Sequence, residues 1–176
     1  LILFFQEGKM EKFQTKLDGF TIRFATEEEC PLILKFIKEL ADYENLLNEV
    51  VATEEILRES IFVNKKAQVV FGELNGEPVS FALFFNNFST FLGRAGVYLE
   101  DLYVKPEYRN KGIGKIMLSF LGKIAKDNNY GRVEWWCLDW NKSSIEFYKK
   151  MGAIPMDEWT VFRVTGENLD KLAGEF

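Results

Sequence analysis

Histidine is missing from this chain of 176 residues, and cysteine occurs only twice, at Cys30 and Cys137. The first absence excludes a zinc site with imidazole ligands, and no resident metal is expected. Two widely spaced cysteines form no disulfide framework, so a reducing cytoplasm is the expected compartment and both thiols read as small apolar filler. Long apolar runs are also missing. None approaches the ~18 residues that cross a bilayer, so no membrane partner is expected. Basic excess is absent too: 22 Lys and Arg stand against 27 Asp and Glu, a net charge of −5. That disfavours a nucleic-acid partner and suits a small cationic one. Repeats, low-complexity tracts and linkers are lacking, which leaves one domain.

What is present is a soluble composition, 47% apolar and 28% charged, with seventeen Phe for a bulky core. The opening LILFFQEGKM has no basic leader and its apolar run is too short for a signal peptide. Met10 reads as the natural start, so residues 1–9 are set apart as an appended segment and 10–176 as the domain. Phe20–Ala25 alternates like a half-buried strand. Thr26 and Glu29 make a capping box before a helix whose apolar face is Leu32, Ile33, Phe36, Ile37, Leu40 and Ala41. Thr53 begins a second helix, with Glu54 and Glu55 in its first turn.

AQVVFGEL and EPVSFALFFNNF are strands joined by Asn75-Gly76, a strong short-range hairpin signal. Val97–Val104 is another strand, ended by Pro106, and a helix follows over Gly112–Asn129. Arg132–Leu138 returns as a strand. NKSSIEFYKKMGA is a short helix closed at Gly152, WTVFRVT is a final strand, and the remainder is a polar tail. This order specifies a mixed α/β domain.

The stretch Arg109-Asn-Lys-Gly112-Ile-Gly114-Lys115 enters the third helix with two glycines, each poor helix filler. A helix N-terminus exposes unsatisfied N–H groups and about +0.5 of dipole charge, and glycines let an anion approach them. Arg109, Lys111 and Lys115 add positive charge. A P-loop would need glycine where Arg109 stands and Ser or Thr where Ile116 stands. A dinucleotide fingerprint would need glycine at Met117. Both fail, and a loop that merely turns the chain stays open as the plainer alternative.

With its surroundings, LEDLYVKPEYRNKGIG resembles the acetyl-CoA-binding core of the GNAT N-acetyltransferase superfamily, and WNKSSIEFYKKMGA resembles that superfamily's second motif. IRFATEEECPLILKFIKELADYE, YLEDLYV and DWNKSSIEFYKKMGA are similar to the diamine (spermidine/spermine) N-acetyltransferase branch. The resemblance spans about residues 21–171. It implies the GNAT acyl-CoA N-acyltransferase fold, a mixed and mostly antiparallel twisted sheet with splayed central strands flanked by helices. It also implies acetyl-CoA as cofactor, its pantetheine pairing with the backbone of Leu102, Tyr103 and Val104. The pyrophosphate would rest on the amides of Asn110, Lys111, Gly112, Ile113, Gly114 and Lys115, with Asn141, Lys142, Ser143 and Ser144 flanking the other side. A homodimer is inherited from the same resemblance.

Acetylating an alkylamine requires removing a proton, at about 4.6 kcal/mol for a group ~3.4 pKa units above neutrality. Glu100 and Asp101 lie mid-strand, where acids are depleted, and alternation points them to opposite sides. The resemblance puts Glu100 in the acceptor pocket as a base, acting directly or through water, and as an anchor for the amine. Two solvated acids on an edge strand are the alternative. The Tyr148 phenol stays protonated at neutral pH, and the resemblance makes it the acid toward the leaving thiolate, while simple packing is the alternative. Tyr43, Glu44, Asp101 and Trp140 are candidate acceptor-binding residues, and Trp135 and Trp136 are expected in the strand core. The expected reaction is direct transfer in a ternary complex to a primary amine of a small polyamine. The alternatives are another small amine such as thialysine or a lysine analogue, or a silent acetyl-CoA-binding module.

Overall fold

The structure is a computed structural model that describes residues 11–176, so the expected appended segment 1–9 lies outside the described residues. The described chain forms two compact units that divide between Trp136 and Cys137.

The first unit is built on a six-stranded sheet in sequential order: β1 (Lys12–Gln14), β2 (Phe20–Phe24), β3 (Gln68–Leu74), β4 (Glu77–Ser89), β5 (Arg94–Val104) and β6 (Val133–Trp135). Every neighbouring pair is antiparallel except β5 and β6, which run parallel. The β3–β4 hairpin turns at Asn75 and Gly76, both at positive φ (52° and 87°), as its sequence demands.

Helix α1 (Cys30–Tyr43) covers one face of the sheet. Phe36 stacks on Phe81 with ring centroids 5.2 Å apart and meets Phe71 at 5.7 Å and Tyr103 edge-on at 6.2 Å. Such aromatic pairs add about 0.5–1.5 kcal/mol each beyond the area they bury. The expected capping box is present: the backbone N–H of Thr26 donates to Glu29 Oε2 at 2.9 Å. Glu29 also ties the helix entry to the sheet, because Arg23 donates to both its carboxylate oxygens and to Glu73. Thr53 caps α2 (Glu54–Leu57), whose winding widens to a π-type turn over Arg58–Val63.

Helix α3 (Ile113–Asp127) packs on the opposite face. Its Phe120 ring lies 4.9 Å from that of Phe13, and a Cβ on Gly72 would run into Met117. Val69 and Phe71 point to α1 while the alternate residue Gly72 faces α3, the period-two rule at work.

The second unit carries α4 (Lys142–Lys150) and α5 (Glu167–Gly174). Several expectations are corrected here. WTVFRVT is not a strand, because a strand needs a partner edge and the segment has none in its unit. The expected strand Arg132–Leu138 shrinks to Val133–Trp135, where its pairing with β5 stops. The polar tail contains α5, and β1 is an unforeseen short edge strand. Trp136, expected in the core, is exposed and lies edge-on to Tyr98. Among the described residues, no helix is long and apolar enough to cross a membrane.

Candidate active site

Strand β5 carries the acids. It pairs with β4 along its whole length but with β6 only from Val97 to Leu99, so among the described residues no strand pairs with its other edge from Glu100 to Val104. At that point the register shifts. Leu99 stands opposite Phe84 and Asp101 opposite Leu83, which leaves Glu100 as the extra residue of a β-bulge. The period-two repeat is therefore broken between Leu99 and Asp101. Asp101 shares the face of its partner Leu83, the face that α1 covers, while Glu100 is exposed.

That placement sets the electrostatics. Burial pushes the Asp101 carboxyl up to about 7, and the negative charges of Glu100 and Glu44 push in the same direction. Glu44, the residue capping the end of α1, is itself raised by burial. Among the described residues, burial and the charges of Glu100 and Glu44 all oppose the ionisation of Asp101.

The turn after β5 is shaped by its backbone. Asn110 and Gly112 both take positive φ (61° and 83°), and Gly112 is the N-cap of α3. Gly112 is thus favoured by conformation, while a Cβ there would meet no protein atom within 4 Å. The first intrahelical bond is donated by Ile116, to the Gly112 carbonyl, and Gly112 offers no side-chain cap. The amides of Ile113, Gly114 and Lys115 are the helix's unsatisfied donors. Ile113 buries its side chain, leaving only its backbone to meet a ligand. Lys111 and Lys115 are exposed, and the Lys111 ammonium sits 5.2 Å from the Tyr108 ring.

Arg109 behaves differently from the lysines. Its Nε donates to the Val104 carbonyl at 2.9 Å, and its guanidinium lies 4.5 Å from the centroid of Tyr43 and 5.4 Å from that of Tyr103. The buried ring of Tyr103 belongs to the core, so only its backbone borders the open edge of β5, as Leu102 and Val104 do beside it.

In the second unit, Asn141 is buried and caps α4: its Oδ1 accepts from the Ser144 N–H and the Ser143 hydroxyl, each at 3.2 Å. That explains the Asn-x-Ser-Ser pattern on local grounds. Lys142 opens α4 and Trp140 is half exposed. Tyr148 is half-buried, with its ring 5.2 Å from that of Phe147.

Comparisons with known proteins identify the family to which this chain belongs. The acetyltransferase (GNAT) family model covers residues 34–153. The chain belongs to this family. It is 38% identical over 168 residues to a thialysine N-epsilon-acetyltransferase of Bos taurus, covering 88% of this chain and 97% of that one. It is 34% identical over 173 residues to a spermidine/spermine N(1)-acetyltransferase-like protein of Homo sapiens, covering 92% of this chain and a quarter (25%) of that longer protein. Among solved structures, an integron cassette protein from the mobile metagenome of V. cholerae superposes with a TM-score of 0.74 at 26% identity, over 88% of this chain and 98% of that one. The chain is accordingly an acetyl-CoA-dependent N-acetyltransferase of the GNAT type.

Two features eluded sequence reasoning: the bulge that carries Asp101 to the α1 face, and the engagement of Arg109 with Tyr43. The adjacent acids of β5 were the available signal for the first, since a regular strand cannot bury one beside the other cheaply.

Proposed function

We propose that this acetyltransferase moves an acetyl group onto a primary amine of a small polyamine, of the spermidine or spermine kind, by direct transfer in a ternary complex. The observation that carries it is the trio Glu44, Glu100 and Asp101: the charges of the first two add to burial in opposing ionisation of the third, and no cation among the described residues offsets them there. A substrate with two or more ammonium groups supplies the missing positive charge. A substrate carboxylate, as in thialysine, would be repelled there, although the bovine relative keeps that amino acid as the second reading.

Acetyl-CoA supplies an activated acyl thioester and a thiolate leaving group. The amides of Ile113, Gly114 and Lys115 fit its pyrophosphate, helped by Lys111 and Lys115, and the open edge of β5 at Leu102–Val104 fits its amide-bearing arm. Asn110, Gly112 and Arg109 shape the turn. We also assign Asn141, Lys142, Ser143 and Ser144 to cofactor binding. Glu100 anchors the amine, and Asp101, tuned near neutrality, is the better proton acceptor. Tyr148 protonates the departing thiolate. Tyr43, Glu44 and Trp140 contact the acceptor. Cys30 is no nucleophile, since burial pushes its thiol up.

The enzyme is further proposed to work in the cytoplasm as a homodimer. The exposed, strand-patterned run through Trp159, Val161, Phe162 and Val164 supports an association surface.

Thiol release measured with spermidine, spermine, putrescine and thialysine tests the acceptor. Polyamines are expected to give the higher kcat/KM. Preference for thialysine would move the assignment to the second reading, and release with none of them would leave a silent binding module.

A further inference from the structure

We propose that Arg109 is a positioning residue that ties the cofactor turn to the acceptor end of α1. This rests on the acetyl-transfer reading above. Arg109 lies between the end of β5 and the glycine turn, and its Nε closes back on the Val104 carbonyl at 2.9 Å. The same guanidinium stands 4.5 Å from the centre of the Tyr43 ring, the last residue of α1. Buried Tyr103 forms the second aromatic surface, 5.4 Å away, and is packed edge-on against Phe36 in the middle of α1. One planar cation thus bridges the strand end, the helix end and the core.

What this bridge positions is Glu44. The residue follows Tyr43 directly and caps α1, its N–H bonded to the Leu40 carbonyl at 3.0 Å. The chain then leaves through Asn45 at φ 60°, so the helix ends abruptly. Glu44 is close enough to Asp101 to oppose its ionisation. A ring pinned by Arg109 therefore fixes the carboxylate that charges the acceptor side. Arginine suits the task because its flat fork can donate in its plane while a ring contacts its face; lysine, a compact ammonium on a flexible stem, cannot do both.

Position 109 thus differs from Lys111 and Lys115. All three are basic residues of one turn, but Arg109 acts on where the amine binds, and the lysines and bare amides act on the cofactor.

The test uses the full chain with Arg109→Lys, Tyr43→Leu, Tyr43→Phe and the double variant Arg109→Lys/Tyr43→Leu. Amine KM, kcat and the Kd of coenzyme A are measured, and the Asp101 carboxyl is titrated by NMR. Arg109→Lys and Tyr43→Leu are each expected to raise amine KM about tenfold, with the Kd of coenzyme A changing less than about threefold. Tyr43→Phe, which keeps the ring, should lose less than Tyr43→Leu. The double variant should be little worse than either single one, since both break the same contact. In the NMR titration, Asp101 should move downward as Glu44 drifts from it. Weakened coenzyme A binding with unchanged amine KM, or additive losses in the double variant, would overturn the proposal. If the wild-type enzyme acetylates no amine, the functional reading fails by itself. The titration still decides the bridge, which is refuted by an Asp101 carboxyl that does not move in Tyr43→Leu.

Discussion

Leu99 and Asp101 are two residues apart on β5, yet they stand opposite adjacent residues of β4, Phe84 and Leu83. In a regular strand they would share a face; here Glu100 is the extra residue between them, and they face opposite ways. The bulge lies where β6 stops pairing with β5, so the same short stretch re-aims an acid and opens a strand edge. In the proposed reading, acceptor chemistry and cofactor binding share one irregularity in the backbone.

Activity should report the titration of Asp101. With its carboxyl raised to about 7, the group is largely protonated in mildly acidic solution and becomes an available base as pH rises through neutrality. Polyamine kcat/KM is expected to climb through an inflection near that value. Asp101→Asn should abolish the inflection and lower kcat/KM by about 100-fold or more. An unchanged inflection in the variant would assign the proton to another group.

Tyr148 is tested by removing only its hydroxyl. Tyr148→Phe keeps the ring beside Phe147 and should leave coenzyme A affinity near wild type, while kcat falls by about 100-fold. Calorimetric titration with coenzyme A separates the outcomes, since lost binding would mark the tyrosine as a packing residue of α4.

Gly112 carries two demands that one substitution separates. Gly112→Ala should cost about 1–2 kcal/mol of stability for holding alanine at φ 83°, since the added Cβ meets no protein atom. If the α3 amides hold the pyrophosphate, the same Cβ also obstructs the ligand, and the Kd of coenzyme A should rise at least about tenfold. Affinity that stays constant while the melting temperature drops would place the phosphates elsewhere.

The features that sequence made visible are those decided within a few residues. Thr26 and Glu29 cap across one turn, Asn75-Gly76 supplies its own positive φ, and Gly112 breaks α3 where the glycines stand. The features that stayed hidden depend on partners distant in sequence. The bulge at Glu100 exists only against Phe84 and Leu83, and the contact of Arg109 with Tyr43 joins residues far apart in the chain. Trp159–Thr165 shows the converse: its residues favour a strand, but no neighbouring edge receives it in its unit. On the acceptor side, sequence offered Glu44, Glu100 and Asp101 as candidates without indicating which would titrate near neutrality.

The buried pair Arg23 and Glu73 anchors the other end of the sheet and predicts acid sensitivity. Burial pushes the Glu73 carboxyl upward, but hydrogen bonds from Lys12 and Arg23 and their positive charges outweigh it and hold the group below its ordinary value. Its stabilisation is complete above the unfolded pKa and is lost as pH falls through the lower folded one. Glu73→Gln should cost about 3 kcal/mol in urea unfolding at pH 7, and the gap to wild type should narrow on acidification. A constant gap would mean that the charge contributes nothing.

Asp101 has the opposite sign, and the enzyme should be more stable without its charge. Its folded pKa lies above the ordinary value of 3.8, so around pH 4 to 7 the folded protein holds a proton that the unfolded chain has released. Stability therefore declines as pH rises from about 4 to about 7, and the full penalty remains above that. A shift of about three units sets a ceiling of ~4 kcal/mol, which solvent at a half-buried site reduces to about 1–3 kcal/mol. Asp101→Asn should raise the melting temperature at pH 8, leave it nearly unchanged at pH 4, and lose acetyl transfer. That combination follows if burial, reinforced by the like charges of Glu100 and Glu44, sets a cost in stability that the substrate's cation relieves. Saturating polyamine should therefore recover part of the same stability in the wild-type enzyme and none in the variant.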